Sequence, residues 1–228
     1  FSTFIGSTAG QAVTGGDGNI AIGQGTLQAE VLGCRSVAIG NLALYNANRG
    51  GNFDSHNVAV GHEASTSITS GVQTTAIGYR ALASENVGNN TTAIGFRTLE
   101  SQVGAANAYN TGIGGSAGRS LTSGTHNILI GDGAGLNAGT SQYNVAIGVE
   151  ALGQVTSHGY NTAVGHNALK VLNAGADGYN VAVGYNAGVS VSTGVQNTLI
   201  GSLAGDALTT GTENVVVGYA ALSSEDAN

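Results

Sequence analysis

The hydrophobic pattern of this chain is a five-residue motif: a polar residue, a β-branched residue, a small residue, a second aliphatic residue and a glycine. One copy reads Asn144-Val145-Ala146-Ile147-Gly148, and the β-branched run closed by glycine occurs thirteen times in 228 residues, its central residue usually but not always small. Their closing glycines are Gly6, Gly23, Gly40, Gly61, Gly78, Gly95, Gly114, Gly131, Gly148, Gly165, Gly184, Gly201 and Gly218; nine of the twelve intervals are 17 residues, the others 21, 19 and 19. Alternation over three or four positions predicts a short strand. A repeat of this length is too short for a helical hairpin and fits one turn of a solenoid. The pattern therefore predicts an all-β fold, a parallel β-solenoid (β-helix or β-roll) of about 13 rungs with a 17-residue repeat, as a single domain over residues 1–228.

Within the motif, the site before the glycine is always Ile or Val: Ile5, Ile22, Ile39, Val60, Ile77, Ile94, Ile113, Ile130, Ile147, Val164, Val183, Ile200 and Val217. Two residues earlier every copy has Val, Ile or Thr, so both sites share one strand face. These side chains are expected to stack as a buried ladder, with the intervening Ala21, Ala38, Ala59, Ala76, Ala93, Ala146, Ala163 and Ala182 lining a close approach between chains. The closing glycines are expected to make the corners, where φ is positive or the backbone approaches tightly.

Asn opens the strand in nine copies (Asn19, Asn57, Asn110, Asn127, Asn144, Asn161, Asn180, Asn197 and Asn214), which predicts an amide ladder. Ala usually lies three residues past the corner and is followed by Leu or by a small residue. Where that next residue is Gly10, Ser65, Gly118, Gly188 or Gly205, an aliphatic side chain appears three further on, at Val13, Ile68, Leu121, Val191 or Leu208. One core volume is thus filled from two alternative positions, although Gly135, followed by Leu136, departs from the rule.

Composition narrows the functional classes. Gly supplies 39 residues, charged residues only 8%, and Pro, Met and Trp are absent. A 17-residue glycine period excludes collagen, and strict apolar patterning opposes disorder. Thirteen rungs at the inter-strand spacing would make a rod of roughly 60 Å. The chain starts at Phe1 without a methionine, as expected of a segment of a longer fibrous chain. A net charge of −7 with six Lys and Arg argues against nucleic-acid binding, and no apolar run is long enough to insert into a membrane. Cys34, the single cysteine, can make no internal disulfide and is read as a small structural residue.

Three longer connections, Tyr45 to His56, Glu100 to Tyr109 and Lys170 to Tyr179, fall in the same part of the repeat and should project as surface loops. Aromatic residues also fall in register: Tyr109, His126, Tyr143, Tyr160 and Tyr179 before the strand, and His62, Tyr79, Phe96, His166, Tyr185 and Tyr219 after the corner. If the chain contacts a ligand directly, the candidate surface is Arg49, Asn52, Phe53, Asp54, Tyr143, Tyr160 and Tyr179, with the tyrosines offering faces to sugar rings. Catalytic signals are weak. The histidines His56, His62, His126, His158 and His166 have no carboxylate or Cys partners at ligand spacing, and the acidic residues read as solvated surface. The expectation is a structural protein, not an enzyme, with no cofactor and no metal.

Asn144-Val145-Ala146-Ile147-Gly148 with Ala151-Leu152, Asn161-Thr162-Ala163-Val164-Gly165 with Ala168-Leu169, and Ser36-Val37-Ala38-Ile39-Gly40 resemble the head repeats of trimeric autotransporter adhesins and the shafts of phage tail fibres. The resemblance spans the whole chain. It implies a left-handed, homotrimeric shaft on a virion or cell surface, spacing or presenting a tip that binds a glycan or protein receptor. A bacterial surface adhesin, a self-assembling extracellular filament and an ice-binding solenoid are the alternatives.

Overall fold

The structure, a computed structural model, describes residues 1–48, 54–104 and 107–224. It comprises two compact units, Phe1–Asn110 and Thr111–Asn228. Each is a parallel β-solenoid, and no helix occurs among the described residues. The first unit carries β1 (Thr3–Ile5), β2 (Ile20–Ile22), β3 (Val37–Ile39), β4 (Val58–Val60), β5 (Thr75–Ile77) and β6 (Thr92–Ile94). The second carries β7 (Thr111–Ile113), β8 (Ile128–Ile130), β9 (Val145–Ile147), β10 (Thr162–Val164), β11 (Val181–Val183), β12 (Thr198–Ile200) and β13 (Val215–Val217). In each unit the strands pair in chain order, and equivalent positions face each other, as in Ala146 opposite Ala163 and Val60 opposite Ile77.

Strands of three residues suffice because hydrogen bonding continues around the rest of the rung. Val145 N–H donates to Asn161 O at 2.8 Å, Leu152 N–H to Ala168 O at 3.0 Å and Gln154 N–H to Lys170 O at 3.0 Å. At the corners φ lies between +124° and +143°, as expected. A Cβ on Gly131 (φ +132°) would come within 2.5 Å of Gly148 O on the next rung. Beyond the corner the backbone enters the left-handed region at two more sites, such as Glu150 (φ 55°) and Leu152 (φ 51°), and again before the strand at Tyr160 (φ 61°).

The structure reverses the two strand faces. Ala21, Ala38, Ala59, Ala76, Ala93, Ala146, Ala163 and Ala182 are completely buried inside the coil and face no gap between chains. The residues read as the buried ladder (Ile22, Ile39, Val60, Ile77, Ile94, Ile113, Ile130, Ile147, Val164, Val183, Ile200 and Val217) stack in register but point outward, half-buried to exposed. The reason is volume. A 17-residue turn encloses little space, and Leu27, Leu44, Leu82, Leu99, Leu152 and Leu169 fill most of it, leaving room for only a methyl group at the strand centre.

Three rungs exchange these volumes. In β1, β8 and β12 the central residue is Phe4, Leu129 or Leu199, and the Leu site becomes Gly10, Gly135 or Gly205. A Cβ on Gly135 would lie 2.7 Å from Leu129, and one on Gly205 3.0 Å from Leu199. Gly135 thus obeys a compensation rule whose second partner lies on the strand. The aliphatic residues seven past the corner, Ile68, Leu121, Val155, Leu172, Val191 and Leu208, are buried in the same core.

The asparagines form the expected ladder, within the core wall. Asn161 N–H and Nδ2 donate to Asn144 Oδ1 at 3.0 and 3.1 Å, and Asn180 N–H and Nδ2 both donate to Asn161 Oδ1 at 3.2 Å. Elsewhere in the ladder Nδ2 also reaches a backbone carbonyl on the turn: Asn19 to Gly33, Asn57 to Gly71 and Asn197 to Gly211, at 2.7–2.8 Å. The accepting carbonyls belong to a second glycine row, three residues before the strand-opening residue.

Ala146→Leu alone overpacks the core and costs about 1–3 kcal/mol. Combined with Leu152→Gly it reproduces the arrangement of Leu129 with Gly135, so a double-mutant cycle in denaturant should show favourable coupling of about 2 kcal/mol. Asn161→Ala strands buried donors of Asn180 and should cost about 2–3 kcal/mol in the same assay; Asn161→Thr, the residue used at Thr74 and Thr91, should cost less.

Candidate binding surface

The outward face of a rung carries the two aliphatic positions of its strand, bordered by the residue before the opening Asn and the residue after the corner. In β9 this face reads Tyr143, Val145, Ile147 and Val149. Ile128, Ile147, Val183, Ile200 and Val217 are among its exposed aliphatic residues in the second unit. Repetition by parallel in-register pairing turns the strand position before the corner into a stripe of Ile and Val, and the position two residues earlier into one of Val, Ile and Thr.

Aromatic residues border the stripes as stacked columns. In the second unit His126 and Tyr143 lie 4.8 Å apart between ring centroids, Tyr143 and Tyr160 5.1 Å, and Tyr160 and Tyr179 5.0 Å, with planes 14–22° from parallel. His166 and Tyr185 make a second stack. In the first unit His62, Tyr79 and Phe96 stack at 5.6 and 5.4 Å. Tyr109, also in the first unit, is exposed. This geometry changes the chemistry expected of Tyr143, Tyr160 and Tyr179. Their inner faces cover one another, so a sugar ring finds ring edges and phenol hydroxyls there instead of an open platform.

Arg49, Asn52 and Phe53 lie outside the described residues. Asp54 forms an isolated parallel bridge with Cys34 and an ion pair with Arg35, and borders a shallow depression of about 440 Å³ shared with Asp17 and Gly18. Cys34 is buried, and its Sγ accepts the Asp17 N–H at 3.3 Å. The third long connection is tied down. His158, buried on the preceding rung, accepts the Gly175 N–H on Nε2 at 2.8 Å, while Asp177 accepts the Gly159 N–H at 3.1 Å.

Not all the acids are solvated. Glu30, Glu85 and Glu100 are buried, and the first two occupy the core site seven past the corner. Glu85 Oε1 accepts the N–H groups of Asn86, Val87 and Gly88 at 2.7–3.1 Å, and its Oε2 accepts Gln102 Nε2 at 2.9 Å. Gln102 in turn contacts Thr91 and Asn110, filling the polar core where Thr91 interrupts the asparagine ladder. Backbone donors engage the Glu30 carboxylate similarly, and Glu100 pairs with Arg80 and Arg97. These bonds occupy the carboxylates as structural clamps. A carboxyl group in an otherwise aliphatic sequence column was the available signal.

Among the described residues no group of three or more His, Cys, Asp or Glu side chains is arranged to hold a metal ion, and no helix is long and apolar enough to cross a membrane. No family model matches the sequence, and neither the curated proteins nor the solved structures contain a match.

Crowding by its neighbours gives the column a measurable property. Desolvation, followed by the adjacent phenols of Tyr143 and Tyr179 and the carboxylate of Asp177, pushes the Tyr160 phenol above the ordinary tyrosine value. The folded chain therefore holds this proton more tightly than the unfolded chain, and the associated stability is lost as pH rises from the ordinary phenol value through that of Tyr160. In an ultraviolet titration, the absorbance change removed by Tyr160→Phe should fall at higher pH than the mean of the remaining tyrosines.

Proposed function

We propose that this chain is the repeat shaft of an extracellular fibre: a left-handed, homotrimeric phage tail-fibre shaft on the virion surface that spaces or presents a receptor-binding tip. The observation that carries this reading is the outward aliphatic face. In the second unit the two outward strand positions supply fourteen side chains, of which eleven are Ile or Val. At roughly 60 Å² each they present roughly 650 Å², more than a soluble monomer usually leaves in water and near the roughly 800 Å² that one partner contributes to a stable interface.

Three copies related by an axis parallel to the stack would bring equivalent rungs to the same level, so the stripes would mate at every rung. Self-association through this face agrees with the resemblance to adhesin and tail-fibre repeats. The described buried acids are committed to structural bonds, which supports a structural role over acid–base catalysis.

The test is the mass in solution. Sedimentation equilibrium should give three chains, and the double variant Ile130→Ser, Ile147→Ser should lower this association by at least tenfold while circular dichroism retains the β signal. A wild-type monomer, or a variant that associates normally, would refute the trimer through this face.

A further inference from the structure

Tyr143, Tyr160 and Tyr179 stand on successive rungs with ring centroids 5.1 and 5.0 Å apart. They are 43%, 40% and 54% exposed, open to small solutes. The chain offers few competing targets for oxidation, because Met and Trp are absent and the single Cys34 is buried. Other stacked tyrosines have different neighbours: Tyr79 lies between His62 and Phe96, and Tyr185 stacks on His166.

We propose that Tyr143, Tyr160 and Tyr179 form an oxidative modification site, at which a peroxidase-type one-electron oxidant couples neighbouring phenols into dityrosine and joins successive rungs covalently. Each phenol gives the oxidant one electron and its hydroxyl proton, leaving a phenoxyl radical with spin density on the carbons ortho to oxygen. Two radicals form a carbon–carbon bond between ortho positions. Each bonded carbon then loses its hydrogen as a proton, and each oxygen regains one. Two hydrogens leave the protein for every link, and peroxide carries them away as two molecules of water.

Adjacency directs the coupling. Neighbouring rings on one chain meet at an effective concentration on the order of millimolar or above, far higher than that of a separate assembly in dilute solution. Their exposed edges leave space for the rings to tilt from a parallel stack into a twisted biaryl. Coupling at these positions closes loops of 17 and 19 residues without changing rung order.

The experiment treats the purified chain, at dilute concentration, with peroxidase and hydrogen peroxide. The expected product has dityrosine fluorescence, a mass lower by two hydrogens per link, and peptides joining Tyr143 to Tyr160 or Tyr160 to Tyr179 within one chain. Tyr160→Phe keeps a stacked ring but separates the remaining phenols by two rungs, and should lower the yield several-fold. Tyr185→Phe should leave the yield unchanged. Equal coupling in Tyr160→Phe and wild type, or links found only between chains, would overturn the proposal. Circular dichroism before oxidation confirms that each variant is folded.

Discussion

Close backbone stacking at the corners is the constraint on which each solenoid depends. The carbonyl of one corner glycine occupies the space that a Cβ on the preceding corner would need, as Gly148 O does above Gly131. Without that approach the hydrogen bonds flanking the corner could not form, and an isolated three-residue strand would contribute little. Close stacking also buries polar groups that water would otherwise satisfy, and the asparagine ladder answers that requirement. From Asn127 to Asn197 the Asn Oδ1 of each rung accepts donors from the next, and Nδ2 also reaches a turn carbonyl in several rungs. Corner and ladder are therefore two parts of one solution to the same spacing.

The second consequence is a core measured in methyl groups. Such a narrow coil selects among residues by volume more than by hydropathy. This explains why Ala146 is inside while the more hydrophobic Ile147 is outside. It also explains why a Leu at the strand centre requires a Gly at the turn. Among the described residues thirty non-glycine residues have positive φ, several of them the core leucines themselves. Each such conformation costs on the order of 1–2 kcal/mol, so backbone strain is widespread and must be offset by stacking.

Much of this architecture was legible because the sequence contains thirteen samples of one design. The glycine period marks the turn length, and the repeated Asn marks the ladder. Inside and outside were not legible from the strand alone, because alternation identifies two faces without saying which enclosed volume each must fit. The exchange of Leu129 with Gly135 was visible in the residues but becomes interpretable only when both sites share one cavity. Glu85 looked solvated because its bonds lie within its own turn and to Gln102 on the next rung. The aromatic columns were legible as register; that their faces cover one another depends on the centroid spacing.

The direction of the inter-rung hydrogen bonds also has a mechanical meaning. A pull along the stacking direction loads these bonds in tension and opens them one rung at a time, unlike a sheet pulled along its strands, where many bonds are sheared together. Each released 17-residue rung would add roughly 55 Å of extended chain. Because each rung contacts mainly its neighbours, opening one need not destroy the next. Under load the repeat would act as a sequence of extensible links, yielding by increments and absorbing work while the remaining rungs stay folded.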